Sequence, residues 1–154
     1  MKKVSNLILI GIFCLMLVGC TSSDEVNIGS ISNRSVTDDL ISLSAKDGTV
    51  TKTGITLVME NNTNERYIYG EEHFLEYYND GVWHELIPLE ERFFVLIGYL
   101  LEPGEFIQIN KNWTSAYGRL SPGRYRVIKS VSPDLDRPVT QEERIYIAAE
   151  FIIE

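Results

Sequence analysis

The chain has 154 residues, two cysteines, two histidines and a formal net charge of −8. That length suits one domain, and the acidic balance argues against partners held by their negative charge, nucleic acid and anionic lipid among them. Both cysteines, Cys14 and Cys20, fall near the start.

Met1-Lys2-Lys3 is a positively charged start, and Leu7 to Val18 is almost wholly apolar. The apolar run is shorter than the roughly 20 residues a membrane-spanning helix needs, and the layout is that of a signal peptide. It ends in Leu17-Val18-Gly19-Cys20, which matches the bacterial lipobox. Leu17, Val18 and Gly19 then serve signal-peptidase recognition. The Cys20 thiol accepts a diacylglyceryl group, and cleavage leaves Cys20 as the new first residue. Two buried acyl chains, at about 0.8 kcal/mol per methylene, make a stable anchor on the extracytoplasmic face of the cell membrane. Cys14 leaves with the signal peptide and Cys20 is acylated, so no thiol remains for a disulfide, a metal site or a nucleophile. Loss of Lys2 and Lys3 leaves 12 basic against 22 acidic residues, a mature charge of −10.

The expected organisation is a signal peptide at 1–19, a lipidated flexible tether at 20–37 and a folded domain at 38–154. The tether reading rests on Ser, Asn, Asp and Gly without apolar periodicity. The domain is long enough to bury about two-thirds of its unfolded surface.

Short strands broken by turn chemistry follow. Leu40 to Ala45 is the first, closed by Lys46-Asp47-Gly48. Gly54 to Glu60 alternates, with Ile55, Leu57 and Met59 on one face. Asn61 to Asn64 is a turn, and Tyr67 to Tyr69 a short aromatic strand. Phe74 to Tyr78 and Val82 to Leu86 flank Asn79-Asp80-Gly81, the best hairpin signal in the chain. Phe93 to Leu101 is strongly apolar and reads as a strand or as a loop packed on the core. After the Glu102-Pro103-Gly104-Glu105 turn, Phe106, Gln108, Asn110 and Asn112 alternate with Ile107, Ile109, Lys111 and Trp113. After Ser121-Pro122-Gly123, Tyr125, Val127 and Lys129 alternate with Arg126, Ile128 and Ser130. Ser132 to Thr140 is a loop, and Ile145 to Ile153 a final strand, with a helical start at Gln141 as the competitor. The sum is an all-β antiparallel sandwich or barrel of about seven to nine strands.

The order of these segments resembles the bacterial Ig-like domains of Gram-positive lipoproteins and surface proteins. The pieces are Met59-Glu60-Asn61-Asn62-Thr63-Asn64, Tyr69-Gly70 before Phe74-Leu75-Glu76, the Asp80-Gly81-Val82-Trp83 hairpin, Pro103-Gly104 leading to Asn112-Trp113, and Tyr117-Gly118-Arg119-Leu120 with Pro122-Gly123-Arg124-Tyr125-Arg126. They span roughly residues 40–153. The resemblance implies an immunoglobulin-like β-sandwich with a structural or interaction role, a Gram-positive host and no shared catalytic residues. A looser likeness runs to the intracellular proteinase inhibitors of bacilli, from which the chain departs by its export signal.

Candidates for chemistry are sparse. Glu71-Glu72-His73 and His84-Glu85 could offer metal ligands, but no HExxH spacing exists, and both histidines are expected to face solvent. Ser115, Ser121 and Ser132 lack a nucleophile-elbow setting. Glu90-Glu91 and Asp134/Asp136 read as solvated loop charge. Trp83, Trp113 and Tyr125 are expected in the core, and Gly70, Gly81, Gly104, Gly118 and Gly123 at positive-φ turn positions. No catalytic residue, cofactor or metal site is assigned. The expected role is a membrane-anchored binding module with an envelope protein or cell-wall partner. Inhibition of an exported protease through Phe93–Leu101 or Ser132–Thr140 is the alternative, and a cell-wall enzyme the third. An exposed apolar loop favours the inhibitor, an aromatic groove a carbohydrate binder, and a His/acid pocket the enzyme.

Overall fold

The computed structural model describes residues 26–154. Its strands are β1 (Ile28–Ile31), β2 (Ile41–Ala45), β3 (Gly54–Asn61), β4 (Tyr67–Tyr69), β5 (Phe74–Asn79), β6 (Val82–Leu86), β7 (Tyr99–Leu101), β8 (Phe106–Asn112), β9 (Gly123–Pro133) and β10 (Ile145–Ile153). One short helix, α1 (Thr114–Tyr117), joins β8 to β9. A seven-stranded sheet runs β1-β6-β5-β9-β4-β7, with β10 also paired to β9. A three-stranded sheet runs β2-β3-β8. All strand pairs are antiparallel. The expected all-β antiparallel sandwich is the observed architecture.

Alternation decides which side chains enter the space between the sheets. Ile55, Leu57 and Met59 of β3 face inward, as do Tyr125, Val127 and Val131 of β9 and Ile147, Ala149, Phe151 and Ile153 of β10. Trp113 and Tyr125 are wholly buried and both stack on Phe151, with ring centroids 5.5 and 5.7 Å from its own. The Trp113 indole N–H donates to the Lys52 carbonyl at 2.9 Å, so its one polar atom is satisfied. The Tyr125 hydroxyl donates to the Ser121 carbonyl at 2.8 Å, pinning the turn that enters β9. Burial of each such side chain contributes roughly 1.5–3 kcal/mol.

Turn chemistry behaves as the sequence leads one to expect. Asp80 and Gly81 have φ of 50° and 86° and link Asn79 directly to Val82, which is the hairpin geometry that matches strand twist. Asn61 does more than turn the chain. It is buried, and its amide donates to the Glu65, Leu101 and Glu102 carbonyls while its oxygen accepts from Thr63. It thereby fastens the β3–β4 turn to the β7–β8 turn.

Four expectations are corrected. The stretch read as flexible tether is folded from residue 28 on: β1 pairs with β6, Arg34 bonds Glu76 and Glu85, and Val36 bridges Tyr146 beside β10. Apolar periodicity cannot reveal this, because the segment is held by polar contacts. Gly70 is not at positive φ, whereas Gly48 is. Trp83 is half-buried outside the core, on the opposite face of the large sheet. There it lies against Tyr78 (5.0 Å) and beneath the Arg124 and Arg126 guanidiniums (5.5 and 4.4 Å). His73, finally, is buried rather than solvent-facing. The competing helix at Gln141 is a turn, and Phe93 to Leu101 is loop until Tyr99.

Candidate interaction site

The longest irregular segment within the sandwich joins β6 to β7 across residues 87–98. Its composition is unusual for a surface loop. Ile87, Leu89, Val95 and Ile97 are exposed, Phe93 is 85% exposed, and Leu96 is fully exposed. Scattered exposed apolar residues need no explanation, but a contiguous run of them marks a contact surface. Tyr99, Leu100 and nearby Phe106 extend the apolar surface along β7 and the start of β8.

The loop is apolar at its tip and held by polar contacts at its base. The Arg92 guanidinium donates to the His73 carbonyl (3.0 Å) and to the Tyr117 hydroxyl (2.9 Å), and sits 3.0 Å from His73 Nε2. It also lies over the Phe94 and Tyr117 rings at 4.5 and 5.2 Å. Phe94 meets His73 edge-on at 5.6 Å. The Leu89 N–H donates to the Ala116 carbonyl at 2.7 Å, which ties the loop to α1. On the far side Tyr99 stacks on Tyr69 at 5.3 Å and returns the chain to the sheet. Burial, with Arg92 adding to it, pushes the His73 pKa down to about 4, so its imidazole is neutral and able to accept from Arg92.

Beneath the loop lies the turn 70–73, held by two lysines. Lys129 is wholly buried and donates to the Gly70 and Glu72 carbonyls at 2.6 and 3.1 Å. Burial and the neighbouring Lys111 push its pKa down to about 8. Lys111 pairs with Glu71 at 2.8 Å, and this bond lowers the Glu71 pKa. Two open clefts flank the loop. One of about 420 Å³ is lined by residues 68–72, 94–98, 130–132, Val139 and Arg144. The other, about 460 Å³, is lined by Glu72, Phe74, residues 88–92, Phe94 and Tyr117.

The residues singled out for chemistry do not converge. His73 bonds Glu71 and Arg92, and His84 lies 3.4 Å from the Gly29 carbonyl. Ser115 is exposed, and the Ser121 carbonyl serves Tyr125. Asp134 pairs with Arg66 at 2.9 Å, while Asp136 is exposed, so the two do not act as a pair. Glu90 and Glu91 are exposed on the loop. Among the described residues, no three His, Cys, Asp or Glu side chains are grouped to hold a metal ion. Leu17, Val18, Gly19 and Cys20 lie outside the described residues. Phe93–Leu101, expected as a strand or in part as a loop packed on the core, is a largely exposed loop through Gly98 and the strand β7 from Tyr99 to the buried Leu101.

Sequence reasoning missed Arg92, Lys111 and Lys129. A signal existed for the two lysines. Each stands in the inward register of its strand, Lys111 between Ile109 and Trp113 and Lys129 between Val127 and Val131. A lysine there must find buried acceptors.

A family model described as a bacterial Ig-like domain matches residues 37–152. No curated protein matches the chain. The match runs from β2 through all but the last residue of β10 and leaves out β1, and the chain belongs to the bacterial Ig-like domain family.

Proposed function

We propose that the protein is an extracytoplasmic lipoprotein, anchored through acylated Cys20, whose Ig-like domain is a non-catalytic interaction module. The 87–98 loop is its contact surface. One observation carries this reading: the most exposed apolar side chains of the domain, Phe93 and Leu96, sit on a loop whose base is fixed by Arg92, His73 and Tyr117. A preorganised base lowers the ordering cost of a contact made at the tip. Withdrawing exposed apolar side chains from water supplies energy to such a contact.

The test is cross-linking of the native lipoprotein in intact cells, with partners identified by mass spectrometry. Leu96→Ser and Cys20→Ser serve as comparisons. The expected result is a reproducible envelope component whose recovery falls with either variant. Equal recovery from wild type and Leu96→Ser sinks the assignment of the loop. Membrane retention of Cys20→Ser, with no lipid mass on the wild-type peptide, sinks the anchor.

A second reading is inhibition of an exported protease, favoured by the exposure and irregular backbone of residues 93–98. Its signature is stoichiometric loss of protease activity that Leu96→Ser or Phe93→Ser relieves.

A further inference from the structure

The beginning of the described chain and the root of the apolar loop are joined. The Ile87 N–H donates to the Asn27 carbonyl at 2.8 Å, and β1 pairs with β6 with Ile28 opposite Leu86. Six residue steps separate Cys20 from Val26, at most about 22 Å when fully extended. On the anchor reading, on which this inference rests, a lipid on Cys20 holds Asn27, and the start of the loop bonded to it, within roughly 30 Å of the bilayer.

We propose that residues 93–97 form a second membrane contact, in which Phe93, Val95 and Leu96 enter the interfacial layer of the bilayer that carries the anchor. Val95 is 65% exposed, and Phe93 and Leu96 more so, which leaves apolar area to withdraw from water. The contact stops at the interface. The loop backbone belongs to no strand, and such backbone is not tolerated in the hydrocarbon core. Glu90 and Glu91 stand exposed a few residues before the tip, so the favoured surface is zwitterionic rather than anionic. A loop of this size binds weakly alone. With the anchor already in place its insertion becomes intramolecular, and the two contacts reinforce each other. The outcome is a domain laid against the membrane in a set orientation, with Trp83 and the arginines of the large sheet left as a separate surface.

The experiment uses the full-length lipoprotein with Leu96→Cys, the only free thiol once Cys20 is acylated, labelled with an environment-sensitive fluorophore. The chain is reconstituted into phosphatidylcholine vesicles containing brominated acyl chains. Val82→Cys, at the far end of β6 beside the hairpin turn, carries the same label as the comparison. The expected result is several-fold stronger quenching by brominated lipid at position 96 than at 82, with iodide in the water showing the reverse. High salt leaves this difference intact, because the contact is apolar. Equal quenching at the two positions overturns the inference, as does a position 96 fully open to iodide.

Acylation of Cys20 is read by mass on the same sample, so the two readings fail separately. Lipid on Cys20 without quenching at 96 removes the loop contact alone. If Cys20 carries no lipid, the anchor reading falls, and this inference falls with it. In cells, a photo-cross-linker at position 96 that captures one protein and no lipid also overturns it.

Discussion

Trp113 and Leu96 are both apolar, and the molecule uses them in opposite ways. Trp113 is wholly buried, stacked on Phe151 and hydrogen-bonded through its indole N–H. Leu96 is fully exposed and belongs to a loop whose neighbours are also apolar. The first kind of area holds the two sheets together. The second adds nothing to folding, because it is no better hidden from water in the folded chain than in the unfolded one. Stability and contact are therefore separable here, and substitutions sort by which region they touch.

The largest effect is expected in the core. Trp113→Ala removes the stack on Phe151 and opens a cavity between the sheets, at about 3–5 kcal/mol, read from the midpoint of urea unfolding. A loss below about 1 kcal/mol would mean that the core re-closes.

Next comes the polar face of the large sheet. Glu76 is wholly buried, bonded to Arg126 at 2.5–2.7 Å, to Arg34 at 3.0 Å and to the Ser32 hydroxyl at 2.6 Å. Glu76→Ala leaves Arg126 without its carboxylate and also frees the 32–36 segment that crosses toward β10. We expect a loss of about 3 kcal/mol together with faster proteolysis before residue 37. Undiminished protection of that segment would show that β1 alone holds it.

The base of the loop predicts a pH effect. The folded-state pKa of His73 is lowered to about 4 from 6.5, so below pH 6.5 the unfolded chain takes up this proton and the folded one does not. Stability from this group is complete above pH 6.5 and is lost as pH falls through 4, by roughly 3 kcal/mol. Urea midpoints against pH in wild type and His73→Leu isolate it. An identical slope between pH 6.5 and 4.5 in both chains would show that His73 is charged while folded.

The smallest stability effect belongs to the tip. Leu96→Ser changes stability by no more than about 0.5 kcal/mol, as for a surface site, yet is expected to abolish the loop's contact. A marked fall in its unfolding midpoint would place Leu96 in the fold rather than at its surface.

Local chemistry made much of the fold legible. Asp80-Gly81 demanded a tight hairpin, and period-two alternation placed Ile55, Leu57, Met59, Tyr125 and Val127 inward. These signals act between neighbours in the chain, so they survive translation into structure. The candidate loop was half legible: its apolar run was plain, but the same run suits a buried strand and an exposed loop equally.

What the sequence by itself determined was the strand pattern, its turns, most of the core and the membership in the Ig-like family. What only the tertiary structure decided were the partners of isolated polar and aromatic groups. Arg34 reaches Glu76 across 42 positions, Lys129 reaches Gly70 across 59, and His73 meets Arg92 across 19. Trp83 shares its strand face with Glu85, and only the packing shows that this face turns toward Arg124 and Arg126. Inward and outward are properties of a sheet packed on another sheet. A strand's own sequence tells its two faces apart, but only the packing says which of them water reaches.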